Sequence, residues 1–125
     1  MTKEAITAKG APAPVAPYSQ AIRSSGLVFC SGVLGMDPES GQLVDGLTAQ
    51  VQQAFENLKA VLDAAGLTLE HVVKTTVYLQ DMADFAEMND LYGGYFPSTP
   101  PARTTVAVRE LPKAALFELD AIASG

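Results

Sequence analysis

Apolar residues recur along the chain with two periods, and the switches between them mark out the elements. Leu47, Val51, Ala54, Phe55, Leu58, Val61, Leu62 and Ala65 fall at steps of three and four, the spacing of one helix face. Asp45 or Thr48 can cap the start of this helix, and Gly66 can close it in the left-handed conformation. Its other face, with Gln50, Gln53, Asn57 and Lys59, is expected in solvent. Phe85, Met88, Leu91, Tyr92, Tyr95 and Phe96 form a second helical stripe. Asp84 and Glu87 open it at capping-box spacing and Pro97 stops it.

Elsewhere the pattern is short and β-branched. Residues 3–8, 18–24, 27–31, 71–80, 103–108 and 115–122 read as strands. Strand 71–80 carries apolar residues on both faces, which predicts cover on both. Residues 18–24 and 27–31 flank Ser25-Gly26 and are expected to pair as a hairpin. A hairpin is also the simplest connection between the last two strands. Pro12, Pro14 and Pro17 make 10–17 an extended loop, and Asp37-Pro38-Glu39-Ser40-Gly41 is turn chemistry within a loop or small hairpin over 32–44.

The order β-β-β-α-β-α-β-β predicts an α+β fold with a sheet and two helices. A length of 125 residues suits a single domain over 1–125. Two helices cannot cover both faces of such a sheet, so further copies of the same chain are the expected partner.

Composition narrows the function classes. Fourteen Asp and Glu against eight Lys and Arg give a net charge of −6, which disfavours nucleic acid and anionic membranes as partners. One Cys and one His rule out a Cys/His zinc site within one chain. Met1 to Ile6 lack a signal-peptide pattern, and no apolar run approaches the roughly 18 residues of a membrane span. A cytoplasmic location is expected.

Candidate chemistry gathers at a few positions. Pro100-Pro101 stiffen the entry to a strand that begins at Arg103, which makes its guanidinium a pre-organised fork for a carboxylate. An exposed arginine is, by residue type alone, more often simply solvated. Glu118 and Asp120 alternate with Phe117, Leu119 and Ala121, so both carboxylates share one strand face. Either could act as a general base with a pKa raised by burial, and spacing does not choose between them. Asn89 flanks the second helical stripe. Tyr18 ends the proline-rich loop, where an aromatic ring can stack on a planar ligand. Ser31-Gly32 ends a strand where a ligand can approach the backbone. Ser31 lacks a nucleophile motif, His71 opens a distant strand without an evident role, and Cys30 reads as a buried small hydrophobe.

Ala16-Pro17-Tyr18-Ser19-Gln20-Ala21, Cys30-Ser31-Gly32, Val73-Lys74-Thr75-Thr76-Val77, Asp84-Phe85 with Asn89, Pro101-Ala102-Arg103, and Leu111-Pro112-Lys113 with Glu118 resemble, in this order and spacing, the RidA (YjgF) family. The resemblance runs from about residue 12 to residue 123. It implies a chorismate-mutase-like fold with a mixed sheet, two helices packed on one face, the last strand inserted within the sheet, and a homotrimer with clefts between chains. It implies cofactor-free, metal-free hydrolysis of reactive 2-imino and 2-enamino acids to 2-keto acids and ammonia. Arg103 matches the residue that grips the substrate carboxylate, Glu118 the one that positions water, and Tyr18 the tyrosine beside the ligand. Ser31, Gly32, Asn89 and Thr105 match binding positions. Thr105 stands where many members carry Cys, and Val33 where many carry Gln, which bears on substrate range. A carboxylate-binding or chaperone-like trimer without turnover is one alternative, and an endoribonuclease or translation inhibitor is another. The acidic charge and the lack of a basic stripe weigh against the latter.

Overall fold

The computed structural model describes residues 2–125. Six strands and two helices follow the predicted order: β1 (Glu4–Ile6), β2 (Ala21–Ser24), β3 (Leu27–Leu34), α1 (Leu47–Ala64), β4 (Val72–Leu79), α2 (Phe85–Tyr95), β5 (Ala102–Ala107) and β6 (Phe117–Ser124). They form one mixed sheet in the order β1-β2-β3-β6-β4-β5. β2 and β3 pair as the expected hairpin across Ser25-Gly26, both at positive φ as a tight two-residue turn of the favoured twist requires.

The last two strands do not form a hairpin. β6 inserts between β3 and β4, antiparallel to both, while β5 lies parallel to β4 at the sheet edge. The physical reason is the crossover. β4-α2-β5 is a strand-helix-strand unit, so β5 runs alongside β4, and the central place left beside β4 is taken by the apolar-faced β6.

Both helices lie on one face of the sheet. Val51, Ala54, Phe55, Leu58, Val61 and Leu62 of α1 are buried there against Val28, Val77, Leu79, Phe117 and Leu119. Phe55 stacks on Tyr95 at a centroid distance of 4.0 Å and meets Tyr92 and Phe96 edge-on, which ties α1 to α2. Truncating Phe55 to Ala would cost about 3–5 kcal/mol on this packing.

Several local expectations are corrected. No side chain caps α1: Gly46 occupies the N-cap position, and neither Asp45 nor Thr48 bonds a first-turn N–H. Gly66 does close it at positive φ, its N–H reaching the Asp63 carbonyl while Leu67 reaches Leu62. Asp84 likewise makes no capping bond, because Asp81 instead caps a short turn that leads into α2. His71 sits in a 3-10 turn before β4 rather than in the strand, and its Nδ1 accepts the Thr68 N–H. β3 continues through Gly32 to Leu34, beyond the expected end at Ser31.

Gln50 and Asn57 are buried rather than solvated. Asn57 donates to the Leu34 and Met36 carbonyls, and Gln50 joins the Val44 carbonyl to the Leu116 N–H. Both amides satisfy backbone groups of loops that cross α1, which repays their burial.

β4 is covered by this chain on one face only. Val72, Thr75, Val77 and Leu79 are buried, whereas Val73 is 48% exposed and Lys74, Thr76 and Tyr78 are half-buried. The face away from the helices also leaves Phe29 and Val106 exposed.

Candidate active site

The first part of the site forms where β2 stops. Ala21 pairs with Cys30, so β3 beyond that point has no β2 neighbour. The proline-rich loop takes that place. Gln20 holds it there: its amide accepts from Ala8 N–H at 2.7 Å and donates to the Ala8 and Pro12 carbonyls. Ser31 donates its backbone N–H to the Gln20 carbonyl and its hydroxyl to the Ser19 carbonyl at 2.7 Å. The Ser31 hydroxyl proton is thereby committed, and toward a ligand this oxygen can only accept.

Opposite this loop the pairing of β3 with β6 slips between Cys30 and Val33. Ser31 and Gly32 bulge out, a device that re-aims side chains beside functional sites. A cavity of about 400 Å³ opens here, with Tyr18, Ser31, Gly32 and Glu118 on its wall. Tyr18 is 52% exposed at its mouth.

Glu118 lies directly against Gly32. A Cβ built on Gly32 would sit 2.1 Å from the Glu118 Oε2, so only glycine leaves room for the carboxylate in this position. Burial pushes the Glu118 pKa up, and the charge of Asp120 adds to the shift. The two carboxylates differ in their partners. Asp120 accepts the Tyr78 hydroxyl at 2.8 Å. Among the described residues no hydrogen bond reaches the Glu118 carboxylate, which leaves it the freer of the two to hold a water molecule. Cys30 is buried and its thiol is pushed up to about 11, first by burial and then by Asp120, so it is no nucleophile at neutral pH.

The second part of the site is on the edge strand. Arg103 in β5 places its guanidinium 4.6 Å from the Tyr92 ring centre and 5.7 Å from that of Phe85, both on α2. Two aromatic rings fix the group and add cation–π attraction. Among the described residues no carboxylate pairs with it; the ion pairs formed are Arg23–Glu4 and Lys59–Glu56. Asn89 is exposed on α2, one turn from both Phe85 and Tyr92. Thr105 follows Arg103 on the same strand face, and its Oγ1 is buried without a partner.

The two parts do not meet within one chain. Arg103 lies in register with Thr75 and Ala121, both buried on the helix side of the sheet. Glu118 lies in register with Tyr78, which pairs on its other side with Val106, on the opposite face. Tyr18, Ser31, Gly32 and Glu118 are brought together; Arg103, Thr105 and Asn89 form a separate group. Gln20, Gln50 and Asn57 position the first group and were not singled out for chemistry by the sequence, since their partners are backbone carbonyls and N–H groups distant in the chain. Among the described residues no cluster of three or more His, Cys, Asp or Glu is arranged to hold a metal ion, and no helix is long and apolar enough to cross a membrane.

Comparison with known proteins gives a consistent result. A family profile described as Endoribonuclease L-PSP matches residues 8–124. A RutC family protein of Pyrococcus horikoshii is 48% identical over 97% of both chains. The 2-iminobutanoate/2-iminopropanoate deaminase of mouse is 43% identical, over 97% of this chain and 90% of that one. The crystal structure of RidA from an Antarctic Psychrobacter superposes with a TM-score of 0.95 at 42% identity, covering 98% of this chain and 99% of the other.

Proposed function

The chain belongs to the RidA (YjgF) family, and on that premise we propose that it hydrolyses reactive 2-imino and 2-enamino acids to 2-keto acids and ammonia. The reaction takes place in clefts between the subunits of a homotrimer. The observation that carries this reading is the Glu118 carboxylate, without a hydrogen-bond partner among the described residues, desolvated and pressed against Gly32 on the wall of a cavity.

The chemistry asks little of the protein. The carbon of a protonated imine is already electrophilic, so orientation of substrate and water supplies most of the acceleration. Arg103 of a neighbouring copy holds the substrate carboxylate in a bidentate pair. Glu118 orients a water molecule and takes one of its protons as the oxygen bonds to the imine carbon. The resulting carbinolamine carries –OH and –NH2 on one carbon. Glu118 returns the proton to nitrogen and then accepts the hydroxyl proton as the C–N bond breaks, so that the C=O forms; ammonia leaves, taking up that proton as ammonium, and the 2-keto acid remains. An enamine enters the same path once its β-carbon has taken a proton. Tyr18 flanks the planar substrate, and Asn89 and Thr105 line the Arg103 side. A raised Glu118 pKa suits a group that accepts and then returns a proton near neutral pH.

The division of the site supports the seam. Arg103 and Glu118 face opposite sides of one sheet, the sheet has a partly apolar bare face, and a second copy is the economical way to bring one chain's arginine to another's glutamate. The test adds the protein to a working serine or threonine dehydratase and follows pyruvate or 2-ketobutyrate and ammonia. Faster release that Arg103→Ala abolishes is the expected result. Full activity in that variant would overturn the assignment of the site.

A further inference from the structure

The cavity beside Glu118 extends well past the reacting groups. Past Gly32 its wall is built by Val33 and Leu34 from the end of β3, Met36 from the loop that follows, Val61 from α1 and Val15 from the proline-rich loop. Two of the polar side chains that border it, Asn57 and Gln20, already have partners. Asn57 donates to the Leu34 and Met36 carbonyls and accepts from Gln53. The Gln20 amide is held by Ala8 and Pro12. Lys113 is the one charged side chain on the wall besides Glu118, and it is exposed to solvent. Beyond Tyr18, Ser31, Glu118 and Lys113, what remains for a ligand to touch is apolar.

Resting on the hydrolase reading above, we infer that this cavity takes the substrate's side chain, and that the preferred substrates are 2-imino acids with a bulky apolar side chain. The reacting carbon is trigonal, so its three substituents point in three directions. The carboxylate goes to Arg103 of a neighbouring copy, and nitrogen and the incoming water lie at Glu118. The side chain is left facing the cavity behind Gly32. In the single chain the cavity measures about 400 Å³, within the range of small-molecule pockets. A methyl group would leave most of its apolar wall in contact with water, whereas each further buried methylene favours binding about fourfold. An anionic side chain would lose its hydration against the apolar wall, and pairing with the solvent-exposed Lys113 returns little of that cost.

The test makes the imines in situ from leucine, methionine, alanine and glutamate with an L-amino-acid oxidase, matches the four fluxes by peroxide release, and measures kcat/KM for 2-keto acid formation. The leucine- and methionine-derived imines are expected to exceed the alanine-derived one by at least about tenfold, with the glutamate-derived imine slowest. Val33→Phe, which fills the half-buried wall, should bring the leucine-to-alanine ratio close to one. Equal values across the four imines, or a preference for the alanine- or glutamate-derived one, would overturn the inference while leaving the hydrolase reading intact. Turnover of none of the four would instead overturn the hydrolase reading.

Discussion

Replacing Gly32 with alanine separates the chemistry from the fold. The added Cβ would fall 2.1 Å from the Glu118 Oε2 and 3.0 Å from its Cδ. Ordinary approach of a carbon to such an atom is roughly 3.3 Å, so the carboxylate must retreat by about 1 Å. The obstructing atoms are the end of a flexible side chain, and Gly32 has no positive φ that alanine would resist. Stability should therefore change by no more than about 1 kcal/mol, with some gain from the stiffer unfolded chain. Activity should not survive so well. A misplacement of about 1 Å costs on the order of 100-fold in rate, or about 2.7 kcal/mol of barrier. Steady-state hydrolysis of an in-situ imine gives the rate, and thermal unfolding of the same sample gives the stability. A variant that keeps both its melting temperature and its full rate would refute the placement of Glu118 against Gly32 as the basis of turnover. A variant that unfolds would show that the bulge tolerates less than its geometry implies.

Other expectations follow from the same geometry. The charge of Asp120 helps raise the Glu118 pKa, so Asp120→Asn should move the acid limb of the kcat/KM profile to lower pH; an unmoved limb would mean that Glu118 is not the titrating base. Burial makes ionised Glu118 a cost to the native state. The raised folded pKa means that stability from this group is full below the unfolded value and is lost as pH rises through the folded one. Glu118→Gln should thus melt higher than the parent at neutral pH while losing activity, and the gain should vanish at low pH; a lower melting temperature at neutral pH would contradict the burial. Asn57→Leu strands the Leu34 and Met36 carbonyls, which should cost about 2–4 kcal/mol in a urea titration.

The sequence carried the element order because periodicity reports burial directly. The stripe from Leu47 to Ala65 and the run from Phe117 to Ala121 are buried where their spacing says. It failed where partners are far away in the chain. Gln50 and Asn57 look like surface residues until Leu34, Met36, Val44 and Leu116 arrive from other elements. The place of β6 depends on the β4-α2-β5 crossover, which no local pattern encodes; the family resemblance supplied it. The same holds for the site. Arg103, Glu118 and Tyr18 could be named from residue type and motif order, but that Arg103 and Glu118 face opposite sides of one sheet emerges only from the strand register.

That separation gives the most direct test. Arg103→Ala and Glu118→Gln should each be inactive alone, since every cleft then lacks one group. Unfolded together in equal amounts and refolded, they assemble at random, and one cleft in four receives an intact Arg103 from one chain and an intact Glu118 from another. The mixture should therefore recover about a quarter of the parent activity. If it stays as inactive as either variant, the two residues do not share a cleft between copies.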